Sequence, residues 1–590
     1  MKRYYKSLRI TLFGITLLLG SCESDKNLLT EVPPTFYTID NVFSTASQVD
    51  QVLVTLYSQL RSIWGNNVLR GNGTDMIDVP SIRKSSAFND YGNISPDRSE
   101  FYSIYSGWYL MISRANLAIH AANQPQIPWP SESEKAYSIA QARFFRAFAY
   151  LNLAELFGGV PIVKEIVTEP RYDFQRASRV DTYQFVIDEL LAIENNLPET
   201  TVQGGRLVRG AAQHTLSRAC LAQGIQLTAE GNTGAAQKAF NQSIAYADKV
   251  INGGIFGLMK SRFGARAKET SVTINVYKNG VTTNEIVNKV NFTPNVFWDL
   301  FQESNVNYQD GNKESIWTLQ VDYAAYRAGD NNSVLPYARN FGPVFRDYAK
   351  DHFTGTAEDL GGRGIAGVIP TWYARDLIYE GKWANDMRNS DIVFRRIFIA
   401  NVPSSPYYGK VVPWEVIYNG STNATTNQIN QSLVFPISCK IATDKFTGLA
   451  DGENRSNLFR DDYFIRLSET VLQRAEAKQR LGDKNGAAAD INLLRERAQC
   501  SYLVTAADVD DQFNLILDER ARELLYEEFR WNTLLRMGGT IAVDRIRKYA
   551  FWPEAKVTLT FNYNLWPIPN TVIDTNKDVK MAQNEGWKGR

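Results

Sequence analysis

The chain is poor in the residues on which much catalysis depends. Its 590 residues include only three histidines, His120, His214 and His352, far apart in sequence. That argues against a histidine-ligated metal centre and leaves at most one histidine for a nucleophilic triad. The four cysteines, Cys22, Cys220, Cys439 and Cys500, form no CxxC pair, so a zinc ribbon and a thioredoxin-like motif are both excluded. Excess charge is missing too: 64 Lys+Arg against 63 Asp+Glu leave a formal +1. Binding nucleic acid by phosphate neutralisation needs a basic surplus, so nucleic acid is not an expected partner. Beyond the first twenty-two residues no apolar run approaches the roughly 18 residues that span a bilayer.

Aromatic residues are what the chain has in quantity: 12 Trp, 29 Tyr and 30 Phe. They supply broad apolar faces, and Trp and Tyr add a polar edge. With 44% hydrophobic residues the composition is globular.

Lys2, Arg3, Lys6 and Arg9 precede a short apolar run, Ile10 to Leu19. Ten helical residues reach only about 15 Å, against roughly 30 Å of hydrocarbon, so this reads as a signal peptide rather than an anchor. Leu19-Gly20-Ser21-Cys22 resembles a bacterial lipobox, in which cleavage precedes an acylated Cys. Residues 1–21 are therefore expected to be removed and Cys22 to be lipidated, with 22–35 as a polar tether. The cut takes away four positive charges and no acids, turning +1 into −3. Acyl chains, not a basic surface, would do the anchoring. If Cys22 carries lipid, three thiols remain and one must stay unpaired; Cys220, in a helical pattern, is expected to be buried and free.

Helical periodicity marks 36–63, 99–123, 134–157, 181–196, 209–230, 234–252, 463–482, 484–499 and 511–536. Gly158-Gly159 and Pro161 stop the third of these. Ala475 and Ala487, with Ile491, are spaced as in a tetratricopeptide-like helical hairpin. Between 261 and 460 the character changes. Val272, Ile274 and Val276 alternate with polar residues ahead of Asn279-Gly280, the sequence of a type I′ hairpin turn. Residues 316–321 read as a second strand. The fold expected is mainly α: helical hairpins as a scaffold over 36–260 and 461–590, with an irregular, loop-rich region of a few short strands at 261–460.

Five segments together resemble the SusD/RagB family of outer-membrane lipoproteins. They are Leu28-Leu29-Thr30-Glu31-Val32-Pro33-Pro34; Arg146 to Tyr150 with Leu156-Phe157-Gly158-Gly159-Val160-Pro161; and Ile465 to Glu469 through Ala475-Glu476-Ala477 to Ala498. The fourth runs from Glu519-Arg520 to Leu534-Leu535-Arg536, and the fifth joins Trp566-Pro567-Ile568-Pro569 to Gln583-Asn584-Glu585-Gly586-Trp587. Residues 261–293 look like an insertion against the family spacing. The resemblance implies four tetratricopeptide-like hairpins and an irregular ligand-binding region. It implies a cell-surface lipoprotein without cofactor or catalysis that captures glycans, or in some members peptides. Its implied partner is a SusC-like TonB-dependent transporter, on which it sits as a lid.

Glu519, Glu523 and Glu527 share a helix face and could mimic a glycosidase carboxylate pair. Arg520, Arg522, Arg530 and Arg536 lie on the same stretch, so charge-paired packing is the better reading. Gly362-Arg363-Gly364-Ile365-Ala366-Gly367 matches GxGxxG but has neither the strand nor the helix of a dinucleotide site, and reads as a flexible loop. Asp386 and Arg388 read as a local pair fixing a turn, and no EF-hand spacing marks a calcium site. Trp298, Trp317, Trp531 and Trp552 read as core. Aromatics in polar loops are the ligand candidates: Trp64, Tyr323, Tyr326, Tyr337, Tyr407, Tyr408 and Trp414 could stack on pyranose faces, with Asn67, Asp75 and Arg83 as hydrogen-bonding partners.

Overall fold

A computed structural model of the chain describes residues 38–80, 88, 90–419, 424–559 and 564–588. The expected leader, Cys22, the tether and Arg83 lie outside these residues. The described part holds twelve helices of eight residues or more. They are α1 Ala46–Trp64, α2 Ser99–Ala122, α3 Glu132–Phe157, α4 Arg179–Leu191, α5 Arg209–Ala229, α6 Thr233–Ile251, α7 Ala424–Leu433, α8 Leu467–Arg480, α9 Lys484–Arg497, α10 Asn514–Leu524, α11 Arg530–Met537 and α12 Ile541–Tyr549. The protein is mainly α, as the periodicity indicates.

Caps set several boundaries. α1 begins ten residues later than its pattern suggests, because Thr45 and Gln48 close a capping box there. Ser131, Ser178, Asn232 and Asp483 cap α3, α4, α6 and α9. α3 stops at Gly158, whose φ of 76° suits glycine. From Phe144 to Phe157 every residue of α3 is buried, so this helix runs through the middle of the molecule. α2 packs on α3, α5 on α6 and α8 on α9. Ala475 and Ala487 are fully buried in one cluster with Ile491, the close approach their spacing predicts.

Two helical patterns break. Residues 463–482 begin as a strand, β8 Asp462–Arg466, before α8 starts at Leu467. The stretch 511–536 divides into α10 and α11 around Tyr526, whose φ is 67°. The carbonyls freed there have cationic partners: Lys440 Nζ donates to Glu523 O and Leu525 O, and Arg70 donates to Tyr526 O. Charged donors replace the missing helix bonds, which periodicity does not register.

The remaining strands form two-stranded antiparallel ladders: β1 Ile77–Asp78 with β5 Ile369–Pro370, β2 Val272–Tyr277 with β3 Ile286–Phe292, β4 Ser315–Leu319 with β8, and β6 Phe394–Arg395 with β7 Ile437–Ser438. Trp317 on β4 packs edge-on against Phe144, Phe145 and Phe148 of α3. One hydrophobic cluster includes Leu53, Trp317, Leu467 and Ile568, so the N- and C-terminal helical regions share a core.

Two loop expectations change. Asn279 and Gly280 do take positive φ, 55° and 64°, but the return strand starts only at Ile286, so the turn is followed by a longer connection. The GxGxxG stretch is packed rather than flexible. Ile365, Ala366 and Gly367 donate to Arg339 O, Gly342 O and Asn340 O at 2.8, 2.9 and 2.6 Å. A Cβ on Gly364 would lie 2.2 Å from Pro343 O, so close backbone approach explains that glycine without a phosphate.

Candidate functional site

Three of the expected ligand residues belong to the interior. Trp64 is 2% exposed, wedged between Phe464 and Phe529, with the Arg70 guanidinium 4.1 Å from its ring centre. Its Nε1 donates to Asp462 Oδ2 at 2.9 Å. Tyr337 is 4% exposed, and its hydroxyl donates to the same Asp462 oxygen. Burial holds that phenol far above the usual tyrosine range. Asp75 is fully buried between Arg530 and Arg545, at 2.6 and 2.9 Å. Each had a polar loop neighbourhood in sequence, but distant segments cover all three. They are corrected from ligand contacts to core.

The other candidates stay near the surface in two groups. Tyr323 and Tyr326 occupy a helical turn, Tyr323–Arg327, capped by Asp322. Both rings lean on Phe459, at 4.7 and 5.1 Å between centroids, and the Tyr323 hydroxyl donates to Asp451 at 2.6 Å. Tyr407, Tyr408 and Trp414 form the second group, all half-buried. Tyr407 and Trp414 pack on a small core around Phe345 and Phe398. Trp414 Nε1 donates to Arg396 O at 3.1 Å, and Tyr407 lies 5.7 Å edge-on from His352. These contacts anchor four of the five rings, and all five stay half-buried, so part of each is accessible to a stacking ligand. Asn67 is half-buried, and its Oδ1 has no hydrogen-bond partner among the described residues.

A groove of about 340 Å³ was not anticipated from sequence. It runs between α2, the 161–174 segment and the C-terminal helical turn Asn570–Thr575. Tyr102, Tyr105 and Tyr109 line its α2 side. Their i, i+3, i+7 spacing places them on one face of the helix. Tyr105 is buried, whereas Tyr102 is nearly half exposed.

The glutamate row of α10 and its end is sealed. Arg388 contacts Asp386, Glu519 and Glu523 at 2.6, 2.7 and 3.0 Å, and Arg466 contacts Glu314, Glu523 and Glu527 at 3.0, 2.6 and 2.9 Å. Arg497 and Lys440 add further pairs, with Glu523 and Glu527. All these side chains are buried, so the pairing expected on a helix surface is an internal network. Burial alone would raise the Glu519 carboxyl, but Arg388, Arg522 and Arg495 outweigh it and pull it down to about 2. Such a group is no general acid near neutral pH. Among the described residues no three His, Cys, Asp or Glu side chains lie together as metal ligands, and no helix is long and apolar enough to cross a membrane.

Two family models match the chain in succession. One, described as "Starch-binding associating with outer membrane", covers residues 24–221, and the SusD family model covers 313–587. The β2–β3 hairpin falls in the interval that neither matches. SusD-like protein P2 of Formosa agariphila is 22% identical over the full length of both chains. A SusD-like protein of Bacteroides ovatus is 24% identical over 38% of this chain and 40% of its own. Among solved structures, a SusD homolog from Bacteroides thetaiotaomicron superposes with a TM-score of 0.66 at 16% identity, covering 93% of this chain and 98% of its own. A laminarin-binding SusD-like protein gives 0.60 at 20% identity over 92% and 100%. Surface glycan-binding protein A from Bacteroides fluxus gives 0.60 at 18% over 92% and 100%.

Proposed function

The chain belongs to the SusD/RagB family, and on that premise we propose that it is a cell-surface lipoprotein that captures glycans without cleaving them. It is anchored in the outer membrane through Cys22 and passes its ligand to a SusC-like TonB-dependent transporter. The ligand face is built on Tyr323, Tyr326, Tyr407, Tyr408 and Trp414, with Asn67 as a polar contact. The observation that carries this reading is the half-buried state of those rings within the irregular region, where Tyr323 and Tyr326 lean on Phe459 and Tyr407 and Trp414 on the core around Phe345 and Phe398. A braced ring offers a flat apolar face to a pyranose at little entropic cost, while neighbouring amides and carboxylates bond the hydroxyls. One structural relative is named as laminarin-binding and another as glycan-binding, which supports the ligand class. Binding without turnover is supported by the sealed glutamate row.

Capture followed by release calls for modest affinity, micromolar or weaker on the usual scale. The test is calorimetric titration of the mature chain carrying Cys22→Ser against oligosaccharide and peptide panels. The proposal expects heat with one glycan class and unchanged sugar afterwards. Heat with peptides alone moves the protein to peptide uptake, and released product makes it a hydrolase. The transporter partnership is tested by purifying the lipidated protein from outer membranes and identifying what accompanies it.

A further inference from the structure

The β2–β3 hairpin is joined to the segment that carries Tyr407 and Tyr408. At its tip, Asn279 N donates to Asn401 O at 2.9 Å. Gly280, at φ +64°, lies against the 354–355 turn so closely that a Cβ would sit 2.0 Å from Thr354 O. Gly355, at φ +85°, returns the contact: its own Cβ would lie 2.5 Å from Gly280 O. Two glycines thus meet backbone to backbone, and no other residue fits at either position without displacing the other. The turn they form is clamped to the same segment. Thr354 N donates to Asn401 Oδ1 at 2.9 Å, Asn401 Nδ2 donates to Thr354 O at 2.8 Å, and Asn401 N donates to His352 O at 3.0 Å. A second tie lies along β3, where Asn288 Nδ2 donates to Gly409 O at 2.8 Å. Between the two ties the 400–411 strap closes on itself, through Ala400 N to Lys410 O and Gly409 N to Ala400 O, both 3.0 Å.

We infer that the hairpin is a positioning element for ligand capture: it holds the 400–411 strap, and so fixes the orientation of Tyr407 and Tyr408. The inference rests on the glycan reading for its ligand, and on the contacts above for its mechanism. Without the hairpin the strap would keep its own bonds, the Asn401 clamp, the 2.8 Å His352–Ser405 bond and the packing of Tyr407. It would lose both ties to β2–β3, and part of the entropy of ordering the rings would then fall on binding. Because the hairpin lies outside the segments the family models match, it is a place where this chain sets its own specificity. Gly280, Gly355 and Asn288 are its positioning residues.

The test uses the mature chain with Cys22→Ser and three further variants. Gly280→Val puts a branched side chain into the Thr354 contact, Asn288→Ala removes the strap bond, and Asn279→Gly keeps both the turn and the donating N–H. Amide exchange of 400–411 and glycan affinity are measured together, with exchange of 467–497 as the internal reference. The expected result is exchange at least tenfold faster in 400–411 for Gly280→Val, a smaller rise for Asn288→Ala, and none for Asn279→Gly. Reference exchange stays unchanged, and affinity falls in the same order, at least tenfold for Gly280→Val. Unchanged strap exchange in Gly280→Val and Asn288→Ala overturns the inference, as does faster exchange with affinity held within twofold. If the unaltered chain binds no glycan, the functional proposal fails by itself, and strap exchange alone decides whether the hairpin holds the strap.

Discussion

Trp64 and Asp462 lie 398 positions apart and share a buried hydrogen bond, indole Nε1 to carboxylate Oδ2 at 2.9 Å. The bond ties the last residue of α1 to the first of β8, and Tyr337 and Arg70 converge on the same oxygen. Trp64→Ala removes a large core side chain and leaves the carboxylate short of a donor. The expected cost is about 3–5 kcal/mol, read as a lower denaturation midpoint. A stable Trp64→Ala protein with impaired binding would restore Trp64 to the ligand face.

Glu523 sits at the centre of the internal ion network, within 3.0 Å of Arg388 and Arg466 and in contact with Arg497. Its carboxylate is held well below the ordinary range, because the three guanidiniums outweigh the effect of burial. Glu523→Ala leaves buried cations without their counter-charge, and such losses run to about 3–5 kcal/mol. The variant should unfold at markedly lower denaturant. Where it still folds, its glycan affinity should match the unaltered chain. Loss of an enzymatic turnover in a stable variant would contradict the structural role assigned here.

His214 gives a pH signature of known sign. Burial pushes its imidazole down to about 4, with Arg218 and Arg520 pushing the same way and Glu469 opposing. Thr470 and Gln473 occupy its two ring nitrogens, at 2.8 and 3.2 Å. The unfolded chain takes up this proton near pH 6.5, the folded chain only near 4. Stability therefore falls as pH drops between those values, by roughly 3 kcal/mol for this residue. Asp78 and Asp359, both raised by burial from 3.8 to about 7, work in the opposite direction across that whole range. The comparison must therefore be differential: the stability gap between unaltered chain and His214→Gln should shrink or reverse from pH 7 to pH 5. A constant gap would contradict the buried neutral histidine.

The three remaining thiols should be silent. Cys220, Cys439 and Cys500 are all unpaired, and burial pushes each up to about 12. A disulfide reagent at pH 8 should titrate none of them in the native Cys22→Ser chain within minutes, and all three after denaturation. Fast reaction of Cys220 or Cys439 in the native protein would contradict their burial.

Helices and their hairpins were legible because a 3.6-residue apolar pattern and cap residues are local signals. Ser131, Gly158 and the Ala475–Ala487 spacing each specify their feature within a few neighbours. The break at Tyr526 was not legible, since it depends on Lys440 and Arg70 arriving from distant segments. The same limit explains the site residues. Trp64, Asp75 and Tyr337 look like loop aromatics and acids until Asp462, Arg530 and Arg545 enclose them. Tyr323 and Tyr407 share that polar setting but stay half-buried. The partners of Gly280 were equally hidden, because two glycines 75 positions apart carry no sign that they touch.

The central claim is reversible glycan capture on the braced rings of the irregular region. The most direct measurement is titration of the Cys22→Ser mature chain with the glycan class that binds, repeated with Tyr323→Ala, Tyr408→Ala and Trp64→Phe. These surface tyrosine changes should cost no more than about 1 kcal/mol in stability. The account predicts at least a tenfold loss of affinity for one or both tyrosine variants, an unchanged affinity for Trp64→Phe, and intact sugar recovered throughout. Full affinity in both tyrosine variants, or cleaved sugar in the unaltered sample, would contradict it.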